Sequence, residues 1–380
     1  MGNREKAIGE LLSKIADELN ITSTMQDKAV QSYHAVGDWI GRGIDYDVKI
    51  MPQGSMNLGT IIKPIDDSDD YDIDLVCLLE DGQQLEAEKI KEIIGDRLKN
   101  NTTYKMKMRR EGKRCWTLDY EEFHMDILPC IPNDKYFAEP KFTDIKLTHK
   151  NDSGIYEFRY SNPWSYHKWF ENRMLDILLT EKRILAKRNQ VEIEAVPTYK
   201  IRTPLQQTIQ LLKRHRDICF QENHENEPIS IIITTLSALA YNGETNLYDA
   251  LCQILRCMSQ YIIKRNGEYW IENPVMKEEN FADKWNIEPQ KYLAFTKWLK
   301  QAEKEIIEDP LSAFGLDNIS QKYQKSLGEA PVKRAIEKMG NATREKREGA
   351  NLYINGLTGG LTTQASSVST LVGDHTFYGD

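Results

Sequence analysis

Residues 52–79 read PQGSMNLGTIIKPIDDSDDYDIDLVCLL, and the fold turns on the two ends of this stretch. At one end is the pair Gly54-Ser55, at the other the strand-like run Tyr71-Asp72-Ile73-Asp74-Leu75-Val76. Successive side chains of a strand point to opposite faces, so Asp72 and Asp74 share one face while Ile73, Leu75 and Cys77 enter a core. Two carboxylates side by side repel unless a cation sits between them. Hard divalent ions such as Mg²⁺ accept oxygen ligands of this kind and leave positions open for phosphate. A Gly-Ser turn upstream offers backbone N–H groups and a hydroxyl to a phosphate tail. The two ends together read as a site for phosphoryl or nucleotidyl transfer.

A lone Asp-x-Asp is weak, because surface strands carry alternating acids for solubility. Asp66, Asp67, Asp69 and Asp70 make this neighbourhood acidic in any case. The deciding residue is a third acid, Asp126, in Glu122-Phe123-His124-Met125-Asp126-Ile127-Leu128-Pro129. Phe123, Met125 and Ile127 alternate with His124, Asp126 and Leu128, which reads as a strand with Asp126 on its more polar face. Paired beside the first acidic strand, it brings Asp126 to the same cluster. Three carboxylates can hold two metal ions about 3.5–4 Å apart, the spacing of two-metal catalysis.

A Gly-Ser pair, an Asp-x-Asp strand and a single Asp on a later strand resemble the DNA polymerase β-type nucleotidyltransferase superfamily. More narrowly, the chain resembles the bacterial cGAS/DncV-like nucleotidyltransferases (CD-NTases, the SMODS family of second-messenger oligonucleotide or dinucleotide synthases). The narrower likeness rests on Gln53-Gly54-Ser55, on residues 204–217 (PLQQTIQLLKRHRD) and on Ile229-Ser230-Ile231-Ile232. Ser161-Asn162-Pro163 with Trp169-Phe170, and Glu272-Asn273-Pro274 with Glu279-Asn280-Phe281, extend it over most of the chain. The resemblance implies a polymerase β-like core with a long spine helix, a helical, oligoadenylate-synthase-like lobe, and an active-site cleft between them. It implies Asp72, Asp74 and Asp126 as catalytic metal ligands for two Mg²⁺ ions, with Mn²⁺ as a substitute. Gln53, Gly54, Ser55, Lys213 and Ser230 then face the donor triphosphate. It also implies NTP substrates, ATP or GTP foremost, and a cyclic product that activates an effector in anti-phage (CBASS) signalling. Some relatives are joined through their C-terminus to targets by a ubiquitin-like ligase. His375-Thr376-Phe377-Tyr378-Gly379 suits such recognition, but this chain ends in Asp380 rather than glycine.

Read without the resemblance, Lys213 is a solvated lysine beside an apolar stripe and Ser230 a helix cap. Three acids and a Gly-Ser turn serve a linear product as well as a cyclic one, so transfer to RNA or another acceptor stays open. A non-catalytic nucleotide-binding regulator is the third reading.

The whole chain has 380 residues, 40% of them hydrophobic, and a net charge of −8. That charge argues against sequence-independent affinity for long nucleic acid. Lys105, Lys107 and Arg109 alternate with Met106 and Met108, so they are expected on one strand face, with Arg110, Lys113 and Arg114 in the turn that follows. This is either a solvated hairpin or a basic wall near a polyphosphate or nucleic-acid activator. No apolar run reaches membrane-spanning length. The N-terminal segment is an amphipathic helix rather than a signal peptide. Six cysteines without a CxxC pair indicate a reduced cytoplasmic protein with no structural zinc.

Apolar periodicity predicts helices at 8–19, 23–42 and 86–100, and strands at 48–51, 104–109, 115–120 and 123–128. These compose an α+β catalytic half in which the second helix backs the sheet. Residues 130–165 are rich in turn signals and aromatics, among them Tyr136, Phe137, Phe142, Tyr156, Phe158, Tyr160, Trp164 and Tyr166. Such rings stack a base or pack a loop. Beyond them helices are expected at 166–190, 203–222, 229–239, 247–264, 289–307 and 330–339, with a hairpin turn at Asn266-Gly267. The division expected is a catalytic core over 1–200, a helical lobe over 201–354 and a mobile Gly/Ser/Thr-rich tail over 355–380.

Overall fold

The structure, a computed structural model, describes residues 2–66, 70–133, 144–189, 192, 201–349, 351–355, 361–363, 365–366 and 368–373. Tyr136, Phe137 and Phe142, and the terminal segment from His375 to Asp380, lie outside the described residues.

One six-stranded mixed sheet organises the first half. Its strands are β1 (Val48–Gln53), β2 (Tyr71–Leu79), β3 (Trp116–Asp119), β4 (Phe123–Pro132), β5 (Ile145–Lys150) and β6 (Tyr156–Ser161). They run in the order β1-β2-β4-β5-β6, with β3 also on β4. Only β2 and β4 are parallel; the other pairs are antiparallel. The alternation read from the sequence sets the two faces of β2. Ile73, Leu75, Cys77 and Leu79 join Ile90, Ile94 and Leu98 in one core, while Val76 and Leu78 pack with Leu128, Cys130 and Ile145 on the other side.

The helices of this half of the sequence are α1 (Asn3–Leu19), α2 (Ser23–Gly41), α3 (Gly54–Leu58), α4 (Ala87–Lys99) and α5 (Thr102–Lys107). Thr22 caps α2 by accepting from the Met25 amide, and Val36 and Ile40 carry the helix onto the core behind β2. After the sheet come α6 (Pro163–Arg173) and α7 (Leu175–Asn189), then the lobe formed by α8 (Pro204–Cys219), α9 (Ser230–Ala240) and α10 (Leu247–Cys257). Thr203 and Gln206 close a capping box at the start of α8, with Pro204 in the first turn. Two short antiparallel pairs follow, β7 (Ile263–Arg265) with β8 (Glu268–Trp270) and β9 (Glu272–Asn273) with β10 (Met276–Asn280). The β7–β8 turn is Asn266-Gly267 as expected, with φ of 51° and 88°. Then come α11 (Asp283–Ile287), α12 (Pro289–Glu303), a π-helical turn at Lys304–Glu308, α13 (Asp309–Ser312), α14 (Leu316–Leu327) and α15 (Glu329–Glu348).

Several expectations are corrected. Residues 104–109 are not a strand. Asn101 accepts from the amides of Thr103 and Tyr104 and so opens α5, and Lys105 and Lys107 therefore do not share a strand face with Arg109. The helix expected at 166–190 breaks at Met174, and the one at 247–264 ends in a 3₁₀ turn before β7. α14 was missing from the sequence reading, although Tyr323 and Leu327 form a buried i, i+4 pair on it. α1 packs on α8, α10 and α15 and belongs to the core of the helical lobe, because Ile8, Leu11, Leu12 and Ile15 face that lobe. β11 (Tyr353–Asn355), at the end of the expected lobe, pairs with both β12 (Leu361–Thr362) and β13 (Ser369–Leu371), which fall in the segment expected to be a mobile tail. Pairing through the backbone leaves no side-chain periodicity to read in so polar a stretch.

Candidate active site

Register brings the acids together. On the parallel pair, Asp74 stands directly opposite Asp126, and Asp72 is one pleat away on the same face. Across β4, Thr117 faces Asp126 and donates its hydroxyl to Oδ1 at 2.5 Å. Across β2, Gln53 faces Asp74, and the chain then turns at Gly54 into α3. Gly54 takes a positive φ of 63°, which a residue with a Cβ adopts only with strain.

The electrostatics of this row are costly. Burial, then the neighbouring Asp126 and Asp72, push the Asp74 carboxyl up to about 7; Lys213 opposes the shift. Asp72 is raised by burial and by Asp126, against His124 and Arg109. Like charges set side by side and partly withdrawn from water shift in this direction. A donor set of hard carboxylate oxygens whose ionised forms repel one another fits a hard divalent cation. The row is open rather than caged: among the described residues, the donor atoms that all fall within 4.8 Å belong to His215, Cys219 and Glu305, not to the three aspartates. Convergence of the aspartates on a shared ion therefore takes rotation of their side chains.

The acids are flanked by two cavities. One, of about 540 Å³, is lined by Ser55 and Asp72 from the sheet half and by Lys213, Arg216 and Ser230 from the helical lobe. The other, of about 710 Å³, holds Gln53, Gly54, Asp74 and Asp126. Asn162, Asn273 and Glu279, from the motifs that carried the resemblance, also line this second cavity, beside Lys113 and Arg114. Asn273 donates to Glu279 at 2.6 Å. The eight residues expected to hold the metal ions or face the triphosphate, Gln53, Gly54, Ser55, Asp72, Asp74, Asp126, Lys213 and Ser230, thus each border one cavity or the other.

The surroundings of Lys213 and Ser230 depart from their plain readings. Lys213 is only 4% exposed, so it is not a solvated lysine. Its Nζ donates to the Thr60 carbonyl at 3.2 Å in the loop that follows α3. Burial, then Arg216, lowers its pKa to about 7, while Asp217 and Asp74 oppose this. The N-cap position of α9 is Ile229, and Ser230 Oγ instead accepts from Arg216 at 3.0 Å.

Sequence reasoning did not single out Arg216, Thr117 or His124. Arg216 is fixed by Asp217, Glu227, Ser230 and the Pro228 carbonyl. Its place in the motif run 204–217 was the available signal. His124 stands opposite Asp72 and lies 3.2 Å from Asp70 and 3.0 Å from Asp119. Arg109, which pairs with Asp119 at 2.6 Å, completes that network. A part of the expected basic wall does therefore reach the acidic row, but through Arg109 rather than the lysines of α5. Lys107 instead lies 4.3 Å from the centre of the Tyr120 ring.

A mixed sheet that places three aspartates along a cleft, with a Gly-Ser turn below and a buried lysine from a helical lobe across from it, defines a nucleotidyltransferase. Residues 7–173 match the Second Messenger Oligonucleotide or Dinucleotide Synthetase (SMODS) domain. The c-di-GMP synthase of Roseivirga ehrenbergii is 29% identical over 386 residues, covering 100% of this chain and 99% of that protein. The cyclic dinucleotide synthase CdnG of Bradyrhizobium diazoefficiens is 22% identical over 366 residues, or 89% of this chain and 86% of CdnG. The structure of CdnG with GTP superposes with a TM-score of 0.70 at 21% identity, over 88% of this chain and 99% of that one. A complex of Escherichia coli CdnC with a HORMA protein gives 0.57 at 15% identity, over 84% and 96%. These likenesses support a place among the cGAS/DncV-like nucleotidyltransferases, the CD-NTases, with the SMODS match lying in residues 7–173.

Proposed function

We infer that the chain joins nucleoside triphosphates, without a template, into a cyclic di- or trinucleotide second messenger, and that it does so in the cytoplasm as part of anti-phage (CBASS) signalling. The observation that carries this reading is the register of β2 on β4, which sets Asp74 against Asp126 with Asp72 beside them. Asp72, Asp74 and Asp126 would hold two divalent ions, Mg²⁺ or Mn²⁺. Such ions supply charge neutralisation at the polyphosphate and lower the pKa of an attacking ribose hydroxyl. The residues themselves bind and orient. Ser55, Lys213 and Ser230 border the smaller cavity and receive the donor triphosphate, with Arg216 steadying Ser230. The larger cavity, bordered by Asp74, Asp126 and Glu279, takes the acceptor nucleotide. In-line attack on the donor α-phosphate then releases pyrophosphate toward the smaller cavity. A second transfer within the linear intermediate closes the ring, which requires the intermediate to turn round between the two cavities. Names of the relatives support a cyclic rather than a linear product.

The test is incubation of the purified chain with each labelled NTP, singly and mixed, in Mg²⁺ or Mn²⁺. A phosphatase-resistant product that depends on Asp72 and Asp74 is expected. Labelled RNA from an added acceptor, or a phosphatase-sensitive oligonucleotide, would replace the cyclase reading with a linear one. Tight NTP binding with no turnover, in the presence of protein or oligonucleotide activators, would favour a regulator.

A further inference from the structure

Away from the cleft, α8 carries a second set of donor atoms. His215 and Cys219 lie one helical turn apart at i, i+4 and therefore on one face. Glu305 reaches them from the π-helical turn at Lys304–Glu308. His215 Nε2 lies 3.1 Å from Glu305 Oε2 and 3.9 Å from Cys219 Sγ, which is 3.6 Å from Nδ1 of the same ring, so a small turn of the imidazole or the thiol brings all three ligands onto one ion. All three ligand atoms fall within 4.8 Å of one another. None of these residues borders either cavity of the cleft.

We propose that His215, Cys219 and Glu305 form a binding site for one thiophilic divalent cation of the zinc class. Bonds of about 2.0–2.3 Å from a tetrahedral ion to N, O and S ligands place the ligand atoms roughly 3–4 Å apart, the range of the two spacings from His215 Nε2, with the Cys219–Glu305 pair within 4.8 Å. The mixed imidazole, thiolate and carboxylate set selects a borderline-soft ion over Mg²⁺, which takes oxygen ligands. The Cys219 thiol binds as thiolate, and its proton passes to solvent as the metal–sulfur bond forms. Ligating carboxylates are held by outer hydrogen bonds, and Gln301 donates to Glu305 Oε1 at 3.0 Å. His215 is fully buried, whereas the Glu305 side chain is one-third exposed, which gives the ion its entry and a fourth, water-filled position. A π-helical turn inserts one residue per turn and re-aims side chains, and such turns recur at functional sites. Here the turn presents Glu305 to α8. The ion would thus tie that turn to the helix bearing Lys213 and Arg216, with no ligand shared with the acidic row.

The test uses the full chain with Asp72→Asn and Asp74→Asn, so that the cleft does not compete, stripped of metal and kept reduced. Titration with Co²⁺ is expected to give a thiolate-to-cobalt charge-transfer band that saturates at one equivalent and disappears on adding Zn²⁺. Cys219→Ser should abolish the band, and Glu305→Gln should weaken binding tenfold or more, with circular dichroism unchanged. X-ray absorption of the zinc-loaded chain without the Cys219 and Glu305 changes gives a second readout that needs no ligand variant: one sulfur in the first shell is expected. Absence of the charge-transfer band, its persistence in Cys219→Ser, or a first shell without sulfur would each overturn the proposal and leave a hydrogen-bonded His–Glu pair beside a thiol.

Discussion

Gly54 lies against the Asp74 carboxylate so closely that a Cβ built on the glycine would sit 2.5 Å from Asp74 Oδ2. The contact is with the far end of a side chain, so the carboxylate can swing away, at the cost of its place in the row. The backbone there also has a positive φ of 63°. Gly54→Ala is therefore expected to fold, with a stability loss of about 1–2 kcal/mol from the left-handed backbone. Displacing one acid by an ångström should lower turnover about 100-fold. Steady-state synthesis of labelled product beside a thermal melt separates the two effects. Normal turnover would show that Asp74 does not need its observed position.

The same carboxylate predicts a trade between stability and function. Its ordinary pKa is 3.8, and in the fold it rises to about 7 through burial and the repulsion of Asp126 and Asp72. A raised carboxyl pKa means the folded state holds the proton more tightly than the unfolded one. Stability is then whole below about pH 4, falls as pH rises, and reaches its full deficit above about 7. Asp74→Asn cannot ionise, so in metal-free buffer it should be more stable than the parent at pH 8 by about 1–3 kcal/mol and no more stable at pH 4. Activity should be lost at every pH. Denaturant melts at the two pH values check this, and an equal or lower stability at pH 8 would contradict the strained carboxylate row.

Asp126 is oriented by Thr117, whose hydroxyl donates to it at 2.5 Å across the β3–β4 pair. Thr117→Val keeps the branched shape and removes the donor. Turnover is expected to fall about tenfold, a cost of about 1.4 kcal/mol, with little change in the melt. Thr117→Ser should restore most of the rate. A valine variant as active as the parent would show that Asp126 is held by the strand alone.

The acidic row was legible because strand alternation is local, and a two-residue period fixes which face each aspartate takes. The pairing of β2 with β4 needed only the expectation that both polar faces meet. Lys213 and Ser230 came from resemblance; apolar periodicity leaves Lys213 off the stripe, and its burial depends on the loop at Thr60 from the other half of the chain. Tertiary contacts of that kind have no signature in a window of sequence. The helix at 102–107 was misread because Met106 and Met108 alternate with basic residues, yet Met106 is 77% exposed and directs no strand pairing. The Asn101 cap was the stronger signal. His215, Cys219 and Glu305 were invisible for another reason: a CxxC search does not see an i, i+4 His/Cys pair completed from a remote turn.

With the donor triphosphate in the smaller cavity, as proposed, Lys213 would set a proton-linked step in substrate binding. Burial and Arg216 bring its pKa down to about 7, from an ordinary 10.5. A lowered lysine pKa means the unfolded state binds the proton more tightly, so this group's contribution to stability is lost as pH falls toward 7 and recovered toward 10.5. At pH 8 the buried amine is mostly neutral, about a tenth of it charged. A triphosphate arriving in the cavity that Lys213 borders favours the ammonium form and draws a proton from solvent. Binding of a non-hydrolysable NTP should then take up close to one proton at pH 8, and affinity should weaken as pH rises from about 7 to 10. Calorimetry in two buffers of different ionisation enthalpy reads the uptake directly. Metal binding releases protons from the acids, so the comparison that isolates the lysine is the parent chain against Lys213→Met, with the same metal present. The variant should bind at least tenfold more weakly and lose the uptake. Equal proton counts in the two proteins would mean that the triphosphate does not meet Lys213, and would move the donor site away from α8.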